Sequence, residues 1–81
     1  MNPVISNFID STLEERIDLV YYHGSYVGVR KYCGYFINLY LLEDTFFEVF
    51  YASEENVIEK VEMMDDEKKL NLYIGYETKQ K

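Results

Sequence analysis

Three patterns of apolar and polar positions divide the chain. Over the first, Leu13, Ile17, Val20 and Tyr21 recur at i, i+4, i+7 and i+8, while Glu14, Glu15 and Asp18 face elsewhere. That spacing predicts an amphipathic helix over roughly residues 10–22. Ser11 and Glu14 have capping-box spacing, in which each side chain satisfies the other's free amide. The early acids suit the positive end of the helix dipole, and Gly24 after His23 predicts the stop. Upstream, Asn2 and Pro3 suit the opening of a helical turn over Pro3–Ile9, either continuous with the main helix or kinked from it.

After Gly24 the period changes. Ser25–Cys33, Tyr35–Leu42, Phe46–Tyr51 and Val57–Met63 are runs of strand length, rich in Tyr, Val, Phe and Ile. The gaps Cys33-Gly34, Glu43-Asp44-Thr45 and Ser53-Glu54-Glu55-Asn56 are hairpin-sized. Successive strands joined this way predict an antiparallel meander. In the third pattern, Asp65-Asp66-Glu67 offers a helix start, Leu70, Tyr73 and Ile74 follow at helical spacing, and Gly75 suits the end. Leu70, Leu72, Ile74 and Tyr76 also alternate, so a fifth strand stands beside the short helix as a reading. Glu77–Lys81 is a polar tail expected to fray.

The expected fold class is α+β: an N-terminal helix, a four-stranded antiparallel β-meander and a short C-terminal helix. It forms one domain over residues 1–81, in two layers with both helices on one sheet face. Strand alternation then sorts the side chains. Val27, Val29, Ile37, Leu39, Leu41, Phe47, Val49, Tyr51, Val61 and Met63 form an aliphatic set assigned to the helix-covered core. The opposite set is Tyr26, Arg30, Tyr32, Phe36, Asn38, Tyr40, Phe46, Glu48, Phe50, Ile58, Lys60 and Glu62. A wet sheet face normally carries Thr, Lys, Glu and Ser, whereas this one carries rings. Tyr26, Arg30, Tyr32, Phe36, Tyr40, Phe46, Glu48 and Phe50 are therefore the candidate interface, with Arg30 and Glu48 setting register. The alternative is that Val4, Ile5, Phe8 and Ile9 fold back over part of that face.

Composition narrows the function. An 81-residue chain has a thin core and gains from dense packing or association. Nine Tyr and five Phe are more rings than one small core readily hides. Fifteen acidic against eight basic residues give a charge of −7, which argues against nucleic-acid binding. No apolar run reaches membrane-spanning length, and no signal peptide is visible, so a cytoplasmic location is expected. The single Cys33 excludes an internal disulfide and suits a reducing compartment.

Candidate chemistry is sparse. His23 and Cys33 flank the first strand, whose length, about 30 Å, keeps them from forming a nucleophile pair. The acidic runs lack the alternating oxygens and central Gly of a calcium loop, so no metal or cofactor is expected. Glu48, mid-strand between Phe46 and Phe50, is the best buried carboxylate. Such a residue more often pairs with a cation, here Arg30 or Lys60, than performs acid–base catalysis.

Leu39-Tyr40-Leu41-Leu42, the F-x-E-V-x-Y run Phe46–Tyr51, Asn56, and Ile58-Glu59-Lys60-Val61-Glu62 resemble a group of small uncharacterised bacterial proteins, as does the Leu-x-x-Tyr of Leu70 and Tyr73. The resemblance covers about half the chain, implies a compact α+β protein and supplies no activity or catalytic residue. The expected function is that of a small acidic, non-enzymatic interaction protein. It would pair with itself as a homodimer, or with a protein partner, through the aromatic face. The alternatives are an acidic inhibitor of a basic partner, of the immunity-protein type, and a small-ligand domain around Glu48 and Arg30. No nucleic acid or membrane partner is expected, and a small molecule is disfavoured.

Overall fold

A computed structural model describes residues 8–73 of the chain. Helix α1 spans Leu13–His23. Its cap is Thr12 rather than Ser11: the Glu15 amide donates to Thr12 Oγ1 at 3.2 Å, and the Thr12 amide donates to Glu15 Oε1 at 2.9 Å. The capping box is thus displaced by one residue from the expected one. The Ser11 hydroxyl instead donates to the Phe8 carbonyl at 2.7 Å and closes the preceding turn. Gly24 ends the helix as expected, donating to the Val20 carbonyl at 2.8 Å. Its backbone is extended, with φ −89° and ψ 163°, so the need for glycine here is steric. A Cβ at this position would lie 2.6 Å from the Val20 oxygen.

Four strands follow: β1 Ser25–Tyr32, β2 Tyr35–Leu42, β3 Thr45–Ala52 and β4 Val57–Met63. They form one antiparallel sheet in the order β1-β2-β3-β4. Cys33 and Gly34 join β1 to β2 with φ of 48° and 84°. Positive φ at both central residues is the type I′ pattern, which matches strand twist. β2 and β3 are joined by Glu43 and Asp44 alone, because Leu42 lies opposite Thr45.

The second turn corrects the face assignment of β2 against β3, and the Cys33-Gly34 turn, which sets Arg30 opposite Ile37, corrects that of β1 against β2. A three-residue turn through Thr45 would set Ile37 opposite Tyr51 and Leu39 opposite Val49. The observed two-residue turn sets Ile37 opposite Phe50 and Leu39 opposite Glu48. A one-residue change of register moves every side chain to the other face. The aliphatic and aromatic sets are therefore interleaved. One face carries Leu42, Phe47, Val49 and Val61, packed under Phe8 and Val20. The other carries Ile37, Leu39 and Phe50, packed under Leu70 and Tyr73.

The C-terminal element is a 3-10 helix over Glu67–Leu72, capped by Asp66, whose carboxylate accepts from the Lys68 amide at 3.0 Å. The α+β class stands. The placing of both helices on one face does not, because α1 and the 3-10 helix cover opposite faces. Ile74, Gly75 and Tyr76, on which the fifth-strand reading turned, lie outside the described residues, as does the 77–81 tail.

Within α1, Val20 is fully buried, while Leu13 and Tyr21 sit at the margin of the contact. Arg16 explains the offset from the expected stripe. It donates from Nη1 to the Val61 carbonyl at 3.1 Å and from Nε to the Phe8 carbonyl at 3.2 Å. Its guanidinium also lies 4.2 Å from the centre of the Phe8 ring. Phe8 in turn packs on Phe47, with ring centres 4.8 Å apart. Part of the N-terminal segment therefore does fold onto the sheet, on the helix side. Ile9 stays exposed, and Val4 and Ile5 lie outside the described residues.

Candidate functional site

Among the described residues the strand pattern leaves one carboxylate buried. Glu48 follows the parity of Phe46 and Phe50 and is turned under the 3-10 helix, where it is only 3% exposed. Burial of a carboxylate is costly unless it is paired and hydrogen-bonded. Arg30 Nη2 meets Glu48 Oε2 at 3.2 Å. The Tyr73 hydroxyl donates to the same oxygen. Strands β1 and β3 are about 10 Å apart, so the arginine and glutamate side chains bridge β2 together. The guanidinium also lies 5.4 Å from the ring centres of Tyr32 and of Tyr73.

Burial pulls the Arg30 guanidinium down, but Tyr73 and Glu48 outweigh it, so Arg30 is held above its ordinary value and stays charged. Burial, reinforced by the bond to Glu48, pushes the Tyr73 phenol well above its usual range. The triad fastens the C-terminal cover to the sheet.

The pairing of Arg30 with Glu48 was legible in the sequence. Lys60, the other cation considered, lies 4.4 Å from the Phe50 ring centre and 3.6 Å from Glu62 Oε2. Tyr73 was missed as the second partner, because its i+3 spacing from Leu70 reads as an ordinary apolar stripe. A buried mid-strand Glu with only one cation in reach is the signal that asks for another donor.

The eight expected interface residues do not share a face. Tyr26, Phe36 and Tyr40 stand on the α1 side, whereas Arg30, Tyr32, Phe46, Glu48 and Phe50 stand on the other. Glu48 and Phe50 are buried, and Phe46 and Tyr40 are half-buried. Tyr40 packs against Tyr21 and Tyr26 at 5.3 and 5.6 Å between ring centres. Burial, with Tyr21 alongside, pushes the Tyr40 phenol up to about 12. The expected continuous aromatic face is thus replaced by two covered faces. Tyr26, Tyr32 and Phe36 remain exposed near β1, at 57%, 54% and 37%.

Those three residues draw attention to the outer edge of β1. Among the described residues β1 has β2 as its only strand partner. The tight Cys33-Gly34 turn directs the Tyr32 carbonyl to Tyr35. Antiparallel alternation then turns the amides and carbonyls of Val29 and Lys31 outward. Beside them runs a groove of about 560 Å³ lined by Val29, Arg30, Lys31, Tyr32, Phe36 and Leu72. Side chains of both parities line it together, so it follows the strand edge rather than either face. Sequence reasoning named Arg30, Tyr32 and Phe36 but missed Val29, Lys31 and Leu72, because an edge groove mixes parities that a face assignment separates.

The opposite edge is built differently. β4 carries exposed Glu59, Lys60 and Glu62, and its Val61 carbonyl is occupied by Arg16. Charge and cover of this kind keep an edge strand from pairing. Cys33 sits exposed in its turn and His23 in the last turn of α1, with β1 between them. Among the described residues no group of three His, Cys, Asp or Glu side chains is placed to hold a metal ion. No described helix is long and apolar enough to cross a membrane.

Fold and site together define a small α+β domain, a helix on a four-stranded meander, with one guarded sheet edge and one that is open among the described residues. The chain matches no family model, no curated protein and no solved structure.

Proposed function

We propose that this chain is a non-enzymatic protein-interaction domain that takes up an extended polypeptide segment along the outer edge of β1. The observation that supports this is the contrast between the two edges. β4 is charged and capped by Arg16, whereas β1 presents outward backbone groups at Val29 and Lys31 beside an apolar groove. Strand addition uses main-chain hydrogen bonds for affinity and flanking pockets for selectivity. The groove supplies such a pocket between Tyr32, Phe36 and Leu72.

Self-association would use the same surface. It is the weaker form of the reading, because each copy carries a charge of −7 and brings its own Lys31 to the contact. The inhibitor alternative gains little, since the exposed acids are spread over α1, the β3–β4 turn and the start of the 3-10 helix. The small-ligand alternative requires an enclosed cavity, and this groove lies open along the strand.

Amide hydrogen exchange on the dilute free chain tests the proposal. The Val29 and Lys31 amides should exchange fast, and the Arg30 amide, bonded toward β2, should exchange slowly. Equal protection of all three at every dilution would overturn it. Light scattering on the same samples separates a monomer with an open edge from a self-paired dimer.

A further inference from the structure

The groove along β1 differs in charge from the rest of the molecule. Fifteen acids outnumber eight bases in the chain, yet the groove lining contains Arg30 and Lys31 and no carboxylate. Two clefts away from Lys31 show the general composition: one is lined by Asp10 and Glu15, another by Glu54, Glu55 and Glu59. Lys60 and Lys69 are each paired with a carboxylate, at 3.6 and 3.2 Å. Lys31 has no ion-pair partner among the described residues, and its ammonium lies 5.5 Å from the Phe36 ring centre. Arg30, although paired with Glu48, keeps a buried Nε with no hydrogen-bond partner among the described residues. The β1 edge therefore holds an uncompensated cation, Lys31, beside apolar surface, whereas Arg16, the other cation against a ring, spends its donors on the Phe8 and Val61 carbonyls.

From this we infer that the segment taken up at β1 is acidic, with carboxylate and large apolar side chains alternating along an extended strand. The inference rests on the edge-docking reading and names the chemistry of its partner. An added antiparallel strand sets one residue directly opposite Lys31, on the α1 side, with side chains about 5 Å apart. A Glu or Asp there meets the ammonium. Its chain neighbours point to the other side, where Tyr32 and Leu72 border the groove and take a Leu or Ile.

A second copy of β1 is a poor occupant. Its sequence, Ser25-Tyr26-Val27-Gly28-Val29-Arg30-Lys31-Tyr32, contains no acid. Pairing about a two-fold axis at Val29 would bring the two Arg30 residues within roughly 8 Å and two further lysines beside them. Each Arg30 is already compensated by its own Glu48, so what disfavours this pairing is that neither copy brings an acid to the other's Lys31.

The test uses the full chain and two fluorescein-labelled peptides, Ser-Leu-Glu-Leu-Glu-Leu-Ser and its Lys-for-Glu counterpart, read by fluorescence anisotropy. Wild type should prefer the acidic peptide about tenfold, the scale expected when a few exposed charge pairs change from attraction to repulsion. Lys31→Glu should reverse the preference. Raising salt from about 50 to about 500 mM should shrink it. Val29→Pro should abolish binding of both peptides while leaving the fold intact by circular dichroism, since the lost amide points out of the sheet.

Equal binding of the two peptides, or an acidic preference unchanged in Lys31→Glu, overturns the charge inference. If Val29→Pro still abolishes binding, the edge-docking reading survives that result. No saturable binding up to about 1 mM, the range of the weakest specific contacts, overturns the inference too. Exchange and light scattering then show what fills the edge. Protection of Val29 and Lys31 only on dimerisation identifies a second copy, and protection at all dilutions identifies residues of the same chain.

Discussion

Replacing Glu48 tests whether polar satisfaction or mere volume holds the C-terminal cover. Glu48→Leu leaves Arg30, whose side chain is 14% exposed, without its counter-charge, and leaves the hydroxyl of fully buried Tyr73 without an acceptor. Breaking a buried ion pair from one side costs about 3–5 kcal/mol, and an orphaned buried hydroxyl about 1–3 kcal/mol. The contacts of Arg30 with two aromatic rings and its residual exposure lower the first figure, so about 3–5 kcal/mol in all is expected. A domain of this size has a total stability of about 4–12 kcal/mol, so the variant should be marginal. Glu48→Gln keeps an acceptor for Tyr73 and should cost about 2–3 kcal/mol, a fall in urea midpoint of about 2 M. The decisive variant combines Arg30→Met, Glu48→Leu and Tyr73→Phe. It removes every polar group of the triad at similar volume and should return to within about 1–2 kcal/mol of wild type, since apolar replacement of a buried pair is often neutral or stabilising. Urea unfolding is followed by circular dichroism and tyrosine emission, because the chain has nine Tyr and no Trp. A triple variant as unstable as Glu48→Leu alone would refute the argument and assign the loss to packing.

Gly24→Ala should destabilise by about 1–3 kcal/mol through the clash of its Cβ with the Val20 carbonyl, and thermal melts will show it. Cys33→Asn should stabilise by about 0.5–1 kcal/mol, because Asn tolerates the left-handed φ of 48° in this turn better than Cys does; comparison of urea midpoints checks it. In alkali, Tyr40 is held up to about 12 and Tyr73 is also raised, so the fold favours their neutral forms. Their contribution to stability is full below pH about 10, the unfolded value, and is lost as pH climbs toward the folded values. Tyrosinate absorbance should show Tyr40 and Tyr73 ionising only well above pH about 10, with loss of ellipticity. Completion of all tyrosine titration near pH 10 with the fold intact would contradict this.

Helix α1, the four strands and the Cys33-Gly34 turn were legible because each rests on local periodicity and on residues with strong turn or cap preferences. What sequence reasoning lost was parity. Thr45 reads equally well as turn or strand, and nothing local decides between them. Its place in β3 puts Ile37 and Leu39 on the side of Glu48 and Phe50, and the Cys33-Gly34 turn puts Arg30 there with them. The pairing of Arg30 with Glu48 survived that error because both residues had been placed on one side of the sheet, and they do share one. The edge groove was not legible, since it depends on where Leu72 comes to rest, a long-range matter for a residue whose own spacing fits two structures.

The cover on the Tyr73 side comes from residues that follow the sheet in the chain, whereas α1 precedes it. During synthesis the helix side can be completed as soon as β4 has formed, but the side bearing Ile37, Leu39 and Phe50 stays bare until residues 67–73 have been added. A bare aliphatic sheet surface is the species most prone to aggregate while a chain is still being made. Glu48 and Arg30 interrupt that surface with two hydrated charges before Tyr73 arrives. The same pair that later anchors the cover thus serves first as a gatekeeper for the nascent sheet.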